Sequence, residues 1–530
     1  MKILFVISLL ISSFGLYAQD ISILPKPNYI EKKQGHFYVN EQTTISFSSG
    51  LNKESKIIQD YFFDIAGLQV QKTSNNISNN ISLKVNPSLN KEAYKLFISP
   101  QKVLIEGGTN TGVFYAWQSI KQLLLEDNST FSLPALIIKD EPRFKWRQYM
   151  LDEARYFHGE KFVKKILDQM ALLKMNKFHW HLTDDAGWRI EIKKYPLLTT
   201  IGGFRKDTEV ETWKSGKTAG EPHGGFYTQE QIKRIVAYAN DRHISIIPEF
   251  EMPGHASAAI ASYTWLGTAG VPIEVPAKFG RLYDNFDVTN PKVIKFFKDV
   301  LLEMFEMFPS EVIHIGGDEV GYKVWEESDH VQKYMKDHGI KTPADLQVIF
   351  TNKMSKFIES HGRRMMGWNE ILGKNIHTDF VEKKHDRQAE TELAKNTIVH
   401  FWKGDIDLAR DAAQQGYGIV NSLHEFAYLD YGYTTTSLEK AYRFDPVPAG
   451  LEEKYHKNIY GLGTQMWSEW TPKNADVEFQ TFPRIAAHAE TGWTQVENKD
   501  FIEFKKSLKK MQEYWQSVGI NYAKKTAGTH

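Results

Sequence analysis

The chain has 530 residues, with 65 basic against 65 acidic side chains and no cysteine. That length suits two to four domains, and 42% hydrophobic with 25% charged residues is the mix of an ordinary folded protein, which excludes disordered and fibrous classes. A net charge of zero gives a nucleic acid or an anionic membrane little to attract, and the missing cysteines exclude disulfides, thiolate metal sites, cysteine nucleophiles and cysteine-linked lipid anchors.

In chain order, the first residues carry Lys2, an apolar run from Ile3 to Leu16, and Ala18 ahead of Gln19. This is the layout of a secretory leader, so residues 1–18 are expected to be a signal peptide and the protein to be exported, either periplasmic or secreted. The run is shorter than the roughly 20 apolar residues of a membrane span, and no later segment reaches that length. Residues 19–141 read as a small α+β domain. Strand-like runs lie at Phe37–Asn40, Thr43–Phe47, Ile81–Val85, Ala93–Ile98 and Val103–Glu106. Helical spacing covers Lys53–Ile65 and, after Gly112, links Val113, Phe114, Trp117, Ile120 and Leu124. Thr73–Ser82 is a polar loop by composition.

After Pro142 apolar strands alternate with helices. Eight candidate strands lie near Trp146–Leu151, Lys177–Leu182, Ile244–Phe250, Val312–Ile315, Arg364–Trp368, Ile398–Trp402, Gly418–Ser422 and Gly461–Met466. Helices are expected at Thr228–Arg242, at Pro291–Met307 behind a cap-like Asn290, and at Pro343–Ser360 behind Thr342. Eight strand–helix repeats predict an α/β fold, a (β/α)₈ TIM barrel over residues 142–525 that includes a C-terminal helix. Its active site is expected at the C-terminal ends of the strands. The charged stretch Val381–Lys395 reads as a solvated loop.

The chemically loaded residues fall at those ends. EVIHIGGDEV places Asp318 and Glu319 side by side past the fourth strand. Neighbours on a regular strand face opposite ways, but Gly316 and Gly317 allow the backbone to leave that geometry and bring both carboxylates into one pocket. Two carboxylates in a poorly solvated site do not ionise equally easily, which leaves one able to act as a general acid. The first strand supplies Asp152 and Arg155. The second, in HWHLTDDAGWR, supplies His179, His181, Asp184, Asp185 and Trp188, and the third supplies Glu249, Glu251 and His255. His179 and His181 are spaced like the first ligands of some metal-dependent barrel hydrolases, a competing reading. The fifth, sixth and eighth strands end instead in Trp368, Trp402 and Trp467, so no metal or cofactor is expected, and one of the two histidines is expected to be a hydrogen-bonded core residue. Three indoles on one rim suit a pyranose ring or an acetamido methyl. Glu469, and Tyr428 and Asp430 of AYLDY, add groups that bind hydroxyls.

The blocks DEPRFKWRQYMLDEARYF, HWHLTDDAGWR, IPEFEMPGHA, HIGGDEV, GWNEIL, AYLDY, MWSEW and PRIAAHAE, in this order, resemble those of the family-20 glycoside hydrolases, the β-N-acetylhexosaminidases. GVFYAWQSIKQL is similar to the end of that family's small N-terminal domain. The resemblance implies an exo-acting hydrolase that removes terminal non-reducing β-linked N-acetylglucosamine or N-acetylgalactosamine from oligosaccharides or glycoconjugates. It further implies a retaining mechanism in which the substrate's own acetamido oxygen attacks the anomeric carbon. Carried over by motif, Glu319 would be the general acid and then the base, Asp318 would orient the acetamido group, and Tyr428 would bond its oxygen. Trp368, Trp402 and Trp467 would enclose the acetyl methyl. Arg155, Asp430 and Glu469 would hold ring hydroxyls, and Asp184 and His255 would support Glu319 from behind. One departure concerns Glu251, which is one methylene longer than the Asp of many relatives two residues before Pro253-Gly254-His255. The alternative readings are a non-catalytic carbohydrate-binding barrel and a disaccharide-releasing enzyme of the same family.

Overall fold

The computed structural model describes residues 21–74, 78–125, 131–280, 284–374 and 388–526. The expected signal peptide lies outside them, as do residues 75–77 of the polar loop and 381–387 of the charged stretch. The first part of the chain folds as a seven-stranded mixed sheet. Its spatial order is Tyr29–Tyr38, Ser132–Asp140, Tyr94–Ser99, Lys102–Gly107, Asn80–Val85, Thr44–Phe47, Gln71–Lys72. The sequence suggests the first of these only from Phe37 onward and the second not at all. Tyr29–Tyr38 pairs only with Ser132–Asp140 and turns most of its side chains to solvent, so YIEKKQGHFY shows no apolar alternation. Ser132–Asp140 contains Pro134, a residue that ordinarily argues against a strand.

Helix Asn110–Leu124, capped by Thr109, is buried along nearly its whole length between this sheet and the barrel helix Glu160–Leu172. Polar bonds fasten the sheet to the barrel. Gln122 Nε2 donates to Leu172 O at 3.0 Å, Arg147 Nη1 lies 3.0 Å from Glu92, and the buried Lys174 Nζ lies 3.3 Å from the buried Asp140 Oδ2.

Eight parallel strands close the barrel: Trp146–Asp152, Lys177–His181, Ser245–Glu249, Val312–His314, Arg364–Trp368, Ile398–Phe401, Gly418–Asn421 and Ile459–Met466, the last pairing back onto the first. Each lies within two residues of an expected strand. The capping signals also hold, with Thr228 and Gln231 forming a capping box before Gln229–Asn240, and Asn290 and Thr342 capping Pro291–Met307 and Pro343–Glu359. Inward-facing side chains stack in layers. Trp146, Ile247, Val312, Met366, Ile398 and Val420 form an apolar layer. Two residues further along the same strands stand Gln148, Glu249, His314, Trp368, His400 and Ser422, all fully buried. The barrel interior therefore changes from apolar to polar just below the rim. Among the described residues no helix is long and apolar enough to cross a membrane.

Candidate active site

The polar layer is the floor of the site, and Glu249 is its centre. Trp368 Nε1 donates to Glu249 Oε1 at 2.9 Å and His314 Nδ1 lies 2.7 Å from the same oxygen. Glu249 Oε2 lies 2.9 Å from His179 Nε2 and bonds His181 Nδ1. Burial opposes its ionisation, but His314, His181 and His179 hold Glu249 well below the usual carboxylate range. His179 and His181 both point inward, because their spacing of two places them on one face of the strand. His179 is the core residue, lowered by burial to about 4 against the pull of Glu249. His181, one level higher, is raised to about 10: burial is outweighed by Glu249 and Asp184, whose Oδ2 lies 3.0 Å from its Nε2.

Above this floor the chain leaves the fourth strand on a left-handed turn, with Gly316 and Gly317 at φ +66° and +89° and Glu319 itself at +49°. A Cβ on Gly316 would fall 1.6 Å from Glu251 Oε2, so glycine is needed for space as well as for conformation. Holding Glu319 left-handed costs about 1–3 kcal/mol, and strain of this kind concentrates where function fixes the backbone. The result is that Asp318 Oδ2 and Glu319 Oε2 both face His255 Nε2, at 3.8 and 3.9 Å. On its other side His255 Nδ1 is 3.3 Å from both Asp184 Oδ1 and Asp185 Oδ2. Burial disfavours the imidazolium, but Asp184 and Asp185 hold His255 well above its ordinary value. Asp318 Oδ1 has no hydrogen-bond partner among the described residues. Burial pushes Asp318 up to about 8, opposed by His255 and reinforced by Glu370 and Glu319. Asp318 therefore holds its proton at neutral pH.

Glu251 makes no ion pair with His255. Its Oε1 lies 3.9 Å from His181 Nδ1, and neither oxygen has a hydrogen-bond partner among the described residues. Burial, then the charge of Asp318, pushes it well above the usual range.

At the opposite end Arg155 Nη1 lies 2.8 Å from Asp184 Oδ2 and 3.5 Å from Asp152 Oδ2, with Nη2 4.0 Å from Glu469 Oε1. Its guanidinium sits 4.9 Å from the centroid of the Trp467 ring. Asp152 accepts from the backbone N–H of Arg155 and of Ser468, both at 3.1 Å, which ties the first strand end to the eighth. Burial opposes it, but Arg155 and His255 hold Asp184 well below its usual range. Glu469 is raised by burial to about 7 against Arg155, and Asp430, whose Oδ1 lacks a partner among the described residues, is raised well above its ordinary value by burial and then by Glu469.

Between the two ends stand the aromatics. Trp402 and Tyr428 are near-parallel at 10° with centroids 5.8 Å apart, and Trp467 lies 6.1 Å from Tyr428 at 53°. Trp402 and Trp467 are each 9% exposed, whereas Trp368 is fully buried, so Trp368 underlies the cage rather than lining it. Trp402 Nε1 donates to Glu370 Oε2 at 3.0 Å. The buried Arg484 fixes the loop that carries Tyr428 and Asp430, donating to the carbonyls of Leu429 at 2.6 Å, Tyr431 at 2.7 Å and Thr436 at 2.9 Å.

The structure thus joins Asp318, Glu319, His255 and Asp184 into one group, links it through Arg155 to Glu469, and sets Trp402, Tyr428 and Trp467 between the ends. Sequence reasoning overlooked His314, His400, Glu370 and Arg484, although three of them lie within quoted blocks and His400 within the expected strand Ile398–Trp402. The one available signal was register, since His314 and His400 each stand two residues past an inward apolar side chain. Metal-ligating atoms converge in three buried sets: His179, His314 and His400; His181, Glu249 and Glu251; Asp184, Asp185 and His255. In the first, His314 Nε2 lies 3.2 Å from His400 Nδ1, and His400 Nε2 lies 2.7 Å from Ser422 Oγ, so these ligands already bond one another and their neighbours. A buried cleft with an indole and phenol cage, in which Asp318 Oδ1 and Asp430 Oδ1 have no hydrogen-bond partner among the described residues and Asp318 is raised, can hold a neutral polyol with an apolar face and protonate it.

Comparison with known proteins agrees with this reading. The sequence profile of glycosyl hydrolase family 20, domain 2, matches residues 20–141, and that of glycosyl hydrolase family 20, catalytic domain, matches residues 144–496. The beta-hexosaminidase of Porphyromonas gingivalis is 34% identical over 532 residues, a match covering 96% of this chain and 65% of that protein's length. The crystal structure of the GH20 exo beta-N-acetylglucosaminidase of Vibrio harveyi in complex with N-acetylglucosamine superposes with a TM-score of 0.82 at 32% identity, covering 95% of this chain and 78% of that one. The beta-N-acetylhexosaminidase of Bacteroides fragilis superposes with a TM-score of 0.82 at 28% identity, covering 96% and 99%. With all eight barrel strands inside one matched span and the sheet domain inside the other, the chain belongs to glycosyl hydrolase family 20.

Proposed function

We propose that the protein is an exported exo-β-N-acetylhexosaminidase that releases terminal non-reducing β-linked N-acetylglucosamine or N-acetylgalactosamine from oligosaccharides or glycoconjugates. The observation that carries this reading is the turn at residues 316–319, which sets a buried carboxyl with a partnerless oxygen and a second, more exposed one beside an aromatic cage. The relatives' names and the N-acetylglucosamine bound by the Vibrio harveyi enzyme support the substrate class. The leader-like N-terminus supports export.

The substrate's acetamido N–H donates to Asp318, the Tyr428 hydroxyl donates to the acetamido oxygen, and the methyl packs against Trp402 and Trp467 over Trp368. An N–H donated to Asp318 favours its ionised form, and Glu319, beside the glycosidic oxygen, is the carboxyl that gives the proton. The acetamido oxygen then attacks the anomeric carbon while Glu319 gives its proton to the departing oxygen, and the Asp318 carboxylate stabilises the positive charge that spreads onto the acetamido nitrogen. Glu319, now a carboxylate, takes a proton from the water that opens the cyclic intermediate, and two inversions leave the configuration retained. His255, held cationic by Asp184 and Asp185, stabilises the Glu319 carboxylate between the steps. Arg155, Asp430 and Glu469 bind the ring hydroxyls.

Glu319→Gln removes the proton that the leaving oxygen needs. Its kcat on N,N'-diacetylchitobiose, whose leaving group is poor, is expected to fall about 100-fold or more. Wild-type turnover in that variant would overturn the assignment.

A further inference from the structure

Gln347 belongs to helix Pro343–Glu359, outside the pocket, yet its side chain reaches the turn that carries Asp318 and Glu319. It is 1% exposed. Its Nε2 donates to the carbonyl of Gly317 at 2.8 Å, and its Oε1 accepts from the hydroxyl of Tyr322 at 2.6 Å. One amide therefore joins the two sides of the carboxyl pair, Gly317 just before it and Tyr322 shortly after.

The bond to Gly317 acts directly on Asp318. A peptide unit is planar, so fixing the direction of the Gly317 carbonyl fixes the N–H of Asp318 and the axis about which that residue turns. On either side of the pair the chain is held by other groups: the Gly316 carbonyl accepts from the Trp368 N–H at 2.9 Å, and the Gly321 carbonyl from Asn285 Nδ2 at 2.7 Å. Between those points Glu319 is left-handed, a conformation that persists only where its surroundings hold it. The brace is itself fixed. Asp345, two residues earlier on the same helix, accepts from the backbone N–H groups of Glu390 and Thr391, both at 2.9 Å, and the Tyr322 ring stacks on Trp325 at 22° with centroids 6.0 Å apart. An amide makes both bonds at any pH, since one end donates to a carbonyl while the other accepts from a hydroxyl; a carboxyl does so only while protonated.

We infer that Gln347 is a positioning residue for the reaction: with Tyr322 it holds the Gly317–Asp318 peptide so that the two carboxyls meet the acetamido group and the departing oxygen in one geometry. This rests on the hexosaminidase reading, which gives the pair its roles.

The test compares the full-length wild type, Gln347→Met, Gln347→Glu and Tyr322→Phe on 4-nitrophenyl N-acetyl-β-glucosaminide across pH, with melting temperatures alongside. Gln347→Met keeps the length and loses both bonds. Its kcat is expected to fall about 10-fold to 100-fold, the loss that a small misplacement of reacting groups produces. Gln347→Glu can replace the amide only while its carboxyl carries a proton. Its kcat is expected to stay near wild type at acid pH and to fall, relative to wild type, by about tenfold or more as pH rises and a carboxylate faces the Gly317 carbonyl, a dependence that Gln347→Met lacks. Tyr322→Phe loses one hydrogen bond and keeps the ring stack, so its kcat should fall about threefold to tenfold. Wild-type kcat in Gln347→Met or in Tyr322→Phe would overturn the inference, and so would a loss in Gln347→Glu that is the same at every pH. Should the Gln347 variants fail to fold, Tyr322→Phe alone decides. A wild-type chain that leaves the substrate uncleaved would overturn the hexosaminidase reading beneath it.

Discussion

At Asp318 the proposed catalytic role and stability pull in opposite directions. The carboxyl is buried with an unpartnered oxygen, and its folded-state value of about 8 lies above the ordinary 3.8. A carboxyl raised on folding holds its proton more tightly in the folded state, so stability is withdrawn as pH climbs from about 4 to about 8. Asp318→Asn removes that penalty. Its melting temperature is expected to exceed wild type by a margin that widens across this pH range, while kcat falls about 100-fold or more because the acetamido nitrogen loses its counter-charge. Melting curves at several pH values check this, and a lower melting temperature throughout would contradict it. Asp318, Glu319, Arg155 and the tryptophans were legible in the sequence because each stands at or just past the end of an apolar run. Glu249 was visible at a strand end, but its role as a hub was not, because its four partners come from three other strands and meet only in space.

At the scale of elements, the turn after the fourth strand is the critical one. Gly316→Ala would bring a Cβ against the Glu251 carboxylate and impose a left-handed conformation on a residue that resists it, for a conformational cost of about 1–3 kcal/mol before the clash is counted. Loss of most activity together with a lower melting temperature is expected. Adding Glu251→Ala should restore part of the stability by clearing the contact while leaving the backbone strain, and melting curves of the single and double variants check that order. A rise on adding the second change separates crowding from strain. The barrel strands were readable because strands buried on both faces appear as continuous apolar runs. Tyr29–Tyr38 was not, since an edge strand with one neighbour and a wet face leaves no such run, and Pro134 concealed its partner.

At the scale of the molecule, the sheet is welded to the barrel. Lys174 and Asp140 are both fully enclosed or nearly so, and Trp493 Nε1 adds a 2.9 Å bond to the same aspartate oxygen. Removing one partner of a buried pair typically costs about 3–5 kcal/mol, because the other charge is left without a counter-charge. Lys174→Ala is therefore expected to lower the resistance of the whole chain to denaturant by about that amount. Its KM should stay at the wild-type value, since Lys174 precedes the second strand at the end of the barrel away from the pocket. The sequence showed two units in succession; it did not show that they share buried charges, because Asp140 and Lys174 lie 34 positions apart and pair only when the sheet docks.

In the proposed mechanism the substrate's acetamido group, and not a protein side chain, supplies the nucleophile. Rates on the 4-nitrophenyl β-glycosides of N-acetylglucosamine and of glucose, with an N-acetylglucosamine-derived thiazoline as competitor, test it directly. Acetamido participation predicts fast cleavage of the first, far slower cleavage of the second, and competitive inhibition by the thiazoline, which mimics the cyclic intermediate; cleavage of the glucoside as fast as the N-acetylglucosaminide would contradict it.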